Sequence, residues 1–167
     1  MRKLTLFILS FIIWVLLVWP FVPRGLDWQS IVVGVAVALL VAFVFGEIFT
    51  ERPHRFAKPS AYFWLLCYIP LFFYYMILAN FDVLYRVLHP KMPIKPGIVK
   101  VKTSLKSKSG ITALCNSITL TPGTLTVDLD QEGYLYIHWI NVRSQDAEEA
   151  SRIIVGRFEK ILRRIFE

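Results

Sequence analysis

The sequence predicts a membrane α-helical N-terminal region of about three apolar helices, residues 1–90, followed by a small α+β domain, residues 91–167. Two observations predict this fold class. First, Leu4–Val22, Gln29–Phe49 and Ala61–Ala79 are apolar blocks of about twenty residues, long enough to cross the hydrocarbon core of a bilayer as helices. Second, the pattern after residue 90 changes to short alternating segments that are typical of strands and to amphipathic segments that are typical of helices.

The central parts of the three apolar blocks contain no charged residue. An ion pathway through lipid normally needs a buried ionisable group that relays protons or compensates a desolvated cation. The sequence therefore indicates a chain that does not conduct ions alone. A net charge of +7, spread over both halves, suits contact with anionic lipid headgroups. It is too dispersed to form the dense basic face that a nucleic-acid partner would require.

The charges around the apolar blocks give conflicting indications of topology. Arg2 and Lys3 precede the first block, and residues 50–60 form the most basic short loop, which the positive-inside rule places in the cytoplasm. That loop carries Arg52, His54, Arg55 and Lys58. Three full crossings would then put residues 91–167 outside, yet the lysines of Lys91–Lys108 and the free Cys115 favour the cytoplasm. Either one block does not cross fully or the N-terminus lies outside.

The connections between the blocks predict a helical hairpin and a long third helix. Prolines and a glycine in residues 20–25 break the first helix and form a short turn before Trp28. The third block contains Pro70, which is compatible with a kinked membrane helix. It continues as an amphipathic extension to His89, where Pro90 stops it.

Three strands are predicted after residue 90: 97–103, 124–130 and 134–141, the last two as an antiparallel hairpin around Gly133. Alternation predicts which side chains of each strand point inward. The predicted inward residues are Val99 and Val101 in the first strand, Leu125, Val127 and Leu129 in the second, and Leu135, Ile137 and Trp139 in the third.

Two helices complete the predicted domain. Residues 107–120 carry apolar side chains at helical spacing, and a last helix is expected to begin near Ser144 as its N-cap and to run to the C-terminus. The expected apolar stripe of this last helix is Ala147, Ala150, Ile154, Phe158, Ile161 and Ile165.

The densest polar segment, residues 116–124, lies where the first of these helices meets a strand. Pro122 fixes φ and Gly123 supplies a positive φ, as in a type II turn, while threonine hydroxyls can bond the carbonyls at the helix end. A phosphate cradle would need several glycines before a helix, which this segment lacks.

Two chemical sites are weighed against this structural interpretation. A hydrolytic site could be drawn from Cys115, His138 and Asp128 or Asp130, and a metal site from Asp128, Asp130 and His138. Alternation places Asp128 and His138 facing away from the core on a small open sheet, where no pocket excludes water. No catalytic residue, metal or cofactor is therefore predicted.

Several segments together resemble a known family. They are Asn80–Val83, Pro93–Val99, the Ile118-Thr119-Leu120-Thr121-Pro122-Gly123-Thr124 string within Asn116–Asp128, and Tyr136–His138. This combination resembles the E-type subunit of the multisubunit cation/proton antiporters of the Mrp type. Cys115 and Asn141 depart from the family pattern, in which a small residue and an acid are expected.

The resemblance implies a non-catalytic, multi-pass cell-membrane subunit whose C-terminal domain lies in the cytoplasm. Its partners would be other small and large membrane subunits of a sodium/proton antiporter module, with membrane lipids, or the hydrogenase-like subunits of a membrane-bound hydrogenase or sulfur-reducing complex. A lipid-surface scaffold and a small membrane-anchored enzyme are the alternatives from other classes. The residues expected to fix the turn or contact partners are Asn116, Thr119, Thr121, Pro122, Gly123, Thr124, Asp128 and His138.

Overall fold

A computed structural model describes residues 2–22, 25–47 and 58–167, which form two compact units, Met1–Ala57 and Lys58–Glu167. The basic residues Arg52, His54 and Arg55 of the predicted cytoplasmic loop lie outside the described residues, as do Pro23 and Arg24 of the first turn.

The first unit is a helical hairpin, as predicted. Helix α1 (Arg2–Val18) ends at Trp19, whose φ of 47° is left-handed, and helix α2 is Trp28–Phe45. The short strands β1 (Phe21–Val22) and β2 (Gly25–Leu26) pair antiparallel between them. Asp27 caps α2, because its carboxylate accepts hydrogen bonds from the Gln29 and Ser30 backbone amides and from the Ser30 hydroxyl. These hydrogen bonds lower the pKa of Asp27.

Small residues bring α1 and α2 together. Gly34, Ala38 and Ala42 recur every fourth residue on α2 and are buried. A Cβ atom at Gly34 would lie 2.4 Å from the Trp14 ring, and the Trp14 indole donates a hydrogen bond to the Ser30 carbonyl at 2.9 Å. This is the packing by which membrane helices approach closely without a hydrophobic driving force between them.

The second unit contains the third apolar helix and the α+β domain. Its elements are helix α3 (Pro59–Leu88), strand β3 (Gly97–Lys102), helix α4 (Lys108–Leu120), strand β4 (Thr124–Leu129), strand β5 (Tyr134–Trp139), helix α5 (Ala147–Ile154) and helix α6 (Glu159–Phe166). The three strands form an antiparallel sheet in the order β3-β5-β4. The predicted α+β class of the C-terminal domain is confirmed, and α3 ends at Leu88, next to the predicted end at His89.

One core fills the second unit. Helices α4 and α5 pack against the inner face of the sheet, and α6 packs against α3 and α4. The predicted inward side chains of β3 and β5 are buried on this face. The core cluster is Val99, Val101, Leu105, Leu114, Ile118, Leu135, Ile137, Trp139, Ala150, Ile154, Val155, Phe158, Leu162 and Ile165. An aromatic stripe of α3, consisting of Trp64, Tyr68, Phe72 and Tyr75, packs against this cluster.

The prediction of which β4 side chains point inward is wrong. Leu125 and Val127 are 49% and 54% exposed, and Leu129 is 42% exposed. Thr124 and Thr126 turn toward α4 instead, because their hydroxyls bond the Ile118 and Cys115 carbonyls. A register shift between Thr126 and Asp128 accompanies this orientation.

The prediction of a single last helix is also wrong, because the segment forms two helices, α5 and α6. Asp146, rather than Ser144, caps α5 by accepting a hydrogen bond from the Glu149 amide at 2.8 Å. The chain leaves regular α-helix after Ile154, and Phe158 enters the core between α5 and α6. Leu162 is buried where Ile161 was expected, and Ile161 is only half-buried.

Two helices in the described part of the chain, α2 and α3, are long and apolar enough to cross a membrane by length and composition. Helix α1 has 17 residues and falls just below that length. The prediction of three spanning helices is therefore supported in part, as an apolar helical N-terminal region with two candidate spans.

Candidate functional site

The turn between α4 and β4 has the predicted geometry. Gly123 has a φ of +89°, and the Thr124 amide donates to the Thr121 carbonyl at 3.3 Å, which closes the turn around Pro122. A Cβ atom on Gly123 would lie 2.9 Å from Ile140 Cγ2 and 3.6 Å from Val83 Cγ2. The turn therefore requires glycine both for its backbone angle and for its close packing.

Threonine hydroxyls tie the end of α4 to this turn, as the sequence predicts. The buried Thr121 donates to the Ser117 carbonyl at 2.7 Å, and Thr124 donates to the Ile118 carbonyl at 2.7 Å. Thr119 is exposed, but its hydroxyl accepts from the Thr126 amide at 3.2 Å. Each bond satisfies a backbone group that the helix or the strand leaves unpaired. Asn116 lies on the exposed side of α4.

A side-chain hydrogen bond links this segment to α3. The Ser117 hydroxyl lies 2.5 Å from both the Ala113 carbonyl and the Tyr68 hydroxyl. Because a carbonyl can only accept, Ser117 donates to Ala113 and accepts from Tyr68. Sequence reasoning missed this contact, because it joins positions 49 residues apart.

Asp128 and His138 lie on the outer face of the sheet, away from the helices, as predicted. In the register, His138 stands between Ile98 of β3 and Leu125 of β4. Asp128 and Lys100 flank Tyr136 in the next row. Ile98 and Leu125 are 62% and 49% exposed. We call this surface, formed by Ile98, Leu125, Asp128, Tyr136 and His138, the outer sheet face.

The residues of the candidate hydrolytic site do not come together in the structure. Cys115 is half-buried against the core on the inner side of the sheet, whereas His138 is exposed on the outer side. Burial raises the pKa of the Cys115 thiol, and a hydrogen bond with Thr126 partly offsets this shift. A thiol with a raised pKa is a weaker nucleophile at neutral pH.

The metal site is not assembled either. Asp130 uses one carboxylate oxygen to accept from the Glu132 and Tyr134 amides at 3.0 and 2.8 Å, so it fixes the β4–β5 turn. Its other oxygen lies 3.8 Å from Lys100 Nζ. Among the described residues, no three His, Cys, Asp or Glu side chains are placed to hold a metal ion.

An ion pair between the buried Arg86 and the half-buried Asp82, near the end of α3, is a further feature that the sequence reasoning did not single out. Arg86 is 7% exposed and binds the Asp82 carboxylate through two nitrogens at 2.9 and 3.0 Å, and it also donates to the Pro93 carbonyl. Arg143 approaches the same carboxylate at 3.7 Å. The i, i+4 spacing of Asp82 and Arg86 was the available signal. This pair fastens the end of α3 to the segment that leads into β3.

Arg157 lies near this cluster and also packs on α3. Its guanidinium lies 5.4 Å from the centre of the Tyr75 ring. Burial lowers the pKa of Arg157, with Arg143 adding to the shift and Tyr75 and Asp82 opposing it. The domain therefore places a partly desolvated cation directly beside the aromatic stripe.

The chain matches known proteins over almost its whole length. The family model described as Na+/H+ ion antiporter subunit matches residues 7–165. The E-type subunit of a Na+/H+ antiporter of Alkalihalophilus pseudofirmus is 41% identical over 76% of this chain and 82% of the relative. The E-type subunit of a Na+/H+ antiporter of Bacillus subtilis is 36% identical over 88% of this chain and 90% of the relative.

A solved structure is also similar. One chain in the structure of the membrane-bound sulfane sulfur reductase, an archaeal respiratory membrane complex, is 47% identical with a TM-score of 0.80, and the match covers 99% of both chains. The fold and the matched length together define an antiporter-type membrane subunit. The chain belongs to the Na+/H+ ion antiporter subunit family, and the resemblance to the E-type subunit is confirmed.

Proposed function

We propose that this chain is a non-catalytic accessory subunit of a multisubunit sodium/proton antiporter module and supports the assembly and stability of that module. The family match over residues 7–165 carries this proposal, because it includes both the apolar helices and the α+β domain. The separation of Cys115 from His138 by the sheet further supports a role without chemistry of its own.

The proposed membrane organisation follows the charges. Residues 1–90 form the membrane-associated part, and residues 91–167 form a domain at the cytoplasmic face. Arg2, Lys3 and Lys58 are cationic residues next to the apolar helices, and the lysines of Lys91–Lys108 continue this basic character. The half-buried Cys115 is a free thiol, which suits a reducing compartment.

The outer sheet face is the proposed contact surface for a neighbouring subunit. Exposed Ile98 and Leu125 flank His138, and Asp128 adds a carboxylate, so the face combines apolar area with polar groups that can fix orientation. Exposed apolar side chains grouped with polar residues are typical of surfaces that bind another protein. Asn116 lies on the exposed side of α4, away from the outer sheet face, and is proposed as a separate partner contact.

The turn at Thr121–Thr124 has a positioning role in this proposal. Thr119, Thr121 and Thr124 hold β4 against the end of α4, and Pro122 and Gly123 set the path between them. Since β4 carries Leu125 and Asp128, the turn determines where the outer sheet face presents these side chains.

A respiratory complex is the second candidate host. The chain in the sulfane sulfur reductase structure is 47% identical over 99% of both chains, whereas the two antiporter subunits are 41% and 36% identical over shorter matches. This difference favours an antiporter module that is built into an electron-transfer complex of the same general kind.

Gentle purification of the tagged chain from its native membrane, with mass spectrometry of the copurifying proteins, tests the proposal. We expect several antiporter-like membrane subunits. Additional metal-cluster subunits would identify a respiratory host, and their absence would identify a free-standing exchanger. Recovery of a lone, monodisperse chain would overturn the subunit proposal.

Substitution of Leu125 by Asp tests the contact surface. The change adds a charge to the outer sheet face without entering the core, so it should release the partner subunits while the chain stays folded. Gln131→Asp adds the same charge in the exposed β4–β5 turn and should leave the complex intact. Equal recovery of partners with both variants would contradict the proposed contact.

A further inference from the structure

Helix α3 has two faces that differ in what covers them. One face packs against the core of its own unit through Trp64, Tyr68, Phe72 and Tyr75, at a spacing of three or four residues. Farther along the same face, Arg86 is buried. The domain therefore lies along most of the helix, from its second turn to its last.

The domain brings charged groups alongside the apolar part of α3. The Arg164 guanidinium lies 4.1 Å from the centre of the Trp64 ring, and that of Arg157 lies 5.4 Å from the centre of the Tyr75 ring. Lys160 lines the same open groove with Trp64 and Leu71. If α3 crossed the bilayer, these cations and the domain that carries them would lie in hydrocarbon, where charged side chains are strongly disfavoured. A folded domain and a crossing α3 are therefore incompatible.

The opposite face of α3 is predominantly apolar. Exposed large side chains on this face include Phe63, Leu66, Phe73, Ile77, Phe81 and Leu84. The amide of Asn80, an exposed polar residue on this face, donates back to the Met76 carbonyl of the same helix at 2.8 Å. The helix has 30 residues and is about 45 Å long, well beyond the roughly 30 Å of the hydrocarbon core.

A one-sided apolar face with cations along its margin is typical of a helix that lies in the membrane interface. We infer that α3 lies in the plane of the membrane surface, with its exposed apolar face in a lipid leaflet and its aromatic stripe under the domain. The occupant of this face is a bilayer containing anionic lipids, because Arg157, Lys160 and Arg164 flank the helix at headgroup height. This inference does not depend on which complex contains the chain.

An α3 that lies in the interface removes the topological conflict in the sequence. With α3 in the interface, the chain crosses the membrane twice, through α1 and α2. Arg2 and Lys3, the described Lys58 and the domain at residues 91–167 then all lie on one side. This arrangement satisfies the positive-inside rule at every one of these segments.

A depth profile by spin labelling tests this inference. Single cysteines at Leu66, Phe73, Ile77 and Leu84 are introduced after Cys67→Ala and Cys115→Ala, and the full chain with its copurifying subunits is reconstituted into nanodiscs with anionic lipid. Collision with lipid-soluble oxygen and with a water-soluble nickel complex then gives the depth of each label. Val32, Val37 and Val44 on α2 provide the matched series for a crossing helix.

We expect the four α3 labels to be oxygen-accessible at one shallow depth, while the α2 series is deepest at its middle position. A maximum of depth in the middle of α3 would overturn the inference. Labels on α3 that are reached by neither reagent would also overturn it, because they would show that a protein subunit, not lipid, covers the face.

Discussion

The helical hairpin α1–α2 and the helix α3 look alike in sequence, since both consist of long uncharged stretches, but they are packed in different ways. In the hairpin, small residues on α2 receive α1, and the remaining surface of both helices is apolar and exposed. In the second unit, one face of α3 carries an aromatic stripe that packs on a charged domain. The comparison teaches that hydropathy identifies a membrane-associated helix, whereas the neighbours of its covered face determine whether it can cross.

Phe158→Ala should have the largest effect on stability, because it removes a buried ring that packs between α3 and the domain. Phe158 is 1% exposed, and its ring lies 5.6–6.4 Å from those of Tyr75, Phe72 and Tyr68. We expect a loss of about 3–5 kcal/mol in the free energy of unfolding, measured by denaturant titration in detergent. Phe73→Ala, on the exposed face of α3, is the matched control and should change stability little in detergent.

Gly123→Ala should come next, with a loss of about 2–3 kcal/mol in the same titration, because it combines a left-handed backbone with a contact to Ile140. Gly133→Ala has a similar φ, +84°, but nothing within 4 Å of the added Cβ. It should lose only the backbone part, about 1 kcal/mol. Equal losses would show that the packing of the turn does not matter.

Gly34→Leu tests the hairpin side of the comparison. The added side chain would enter the space of the Trp14 ring and should separate α1 from α2, at a cost of about 1–3 kcal/mol. Protease digestion of the chain in nanodiscs should then cut the α1–α2 connection faster. Val33→Leu, at a neighbouring exposed position, should digest like the parent chain.

Tyr68→Phe removes one hydrogen bond between α3 and α4 without changing the packing of the ring. The Ser117 hydroxyl loses its donor but keeps its bond to the Ala113 carbonyl, so the expected loss is about 1 kcal/mol by denaturant titration. Tyr74→Phe, on the exposed face, should have no measurable effect in detergent. Identical midpoints for the two variants would show that the Tyr68 bond contributes nothing.

The smallest effect concerns the reactivity of Cys115. Burial raises the pKa of its thiol, so less thiolate is present at any given pH than for a free cysteine. In a Cys67→Ala chain, alkylation by iodoacetamide should reach half its maximal rate at a pH above the ordinary thiol range. Thr126→Val removes the hydrogen bond that lowers this pKa and should shift the midpoint higher still. A midpoint at the value of a free thiol would contradict the buried environment.

Local sequence patterns predicted much of the fold. Alternation identified Val99, Val101, Leu135 and Ile137 as inward because these strands face apolar helices. It failed at β4, where the threonines face α4 and bond its carbonyls, so hydrogen bonding outweighed the burial of Leu125. The break between α5 and α6 was missed because the sequence contains no strong stop signal there apart from Gly156.

The local features of the candidate site could also be predicted from the sequence, but its long-range contacts could not. Pro122 and Gly123 specify the turn through local backbone preferences, and alternation placed His138 on the outer face. The contacts of Tyr68 with Ser117 and of Arg164 with Trp64 join residues far apart in the chain. Such pairings arise only when the domain folds onto α3, so no local pattern could reveal them.

The sidedness of the two ends of α3 tests the central claim most directly. Lys58→Cys and Lys91→Cys stand at exposed positions on either side of the helix, and a membrane-impermeant maleimide can be applied to intact cells and to inside-out vesicles. The account predicts that both cysteines react only in inside-out vesicles, while Leu26→Cys, between α1 and α2, reacts only in intact cells. Labelling of Lys58→Cys and Lys91→Cys from opposite sides would show that α3 crosses the membrane and would contradict the account.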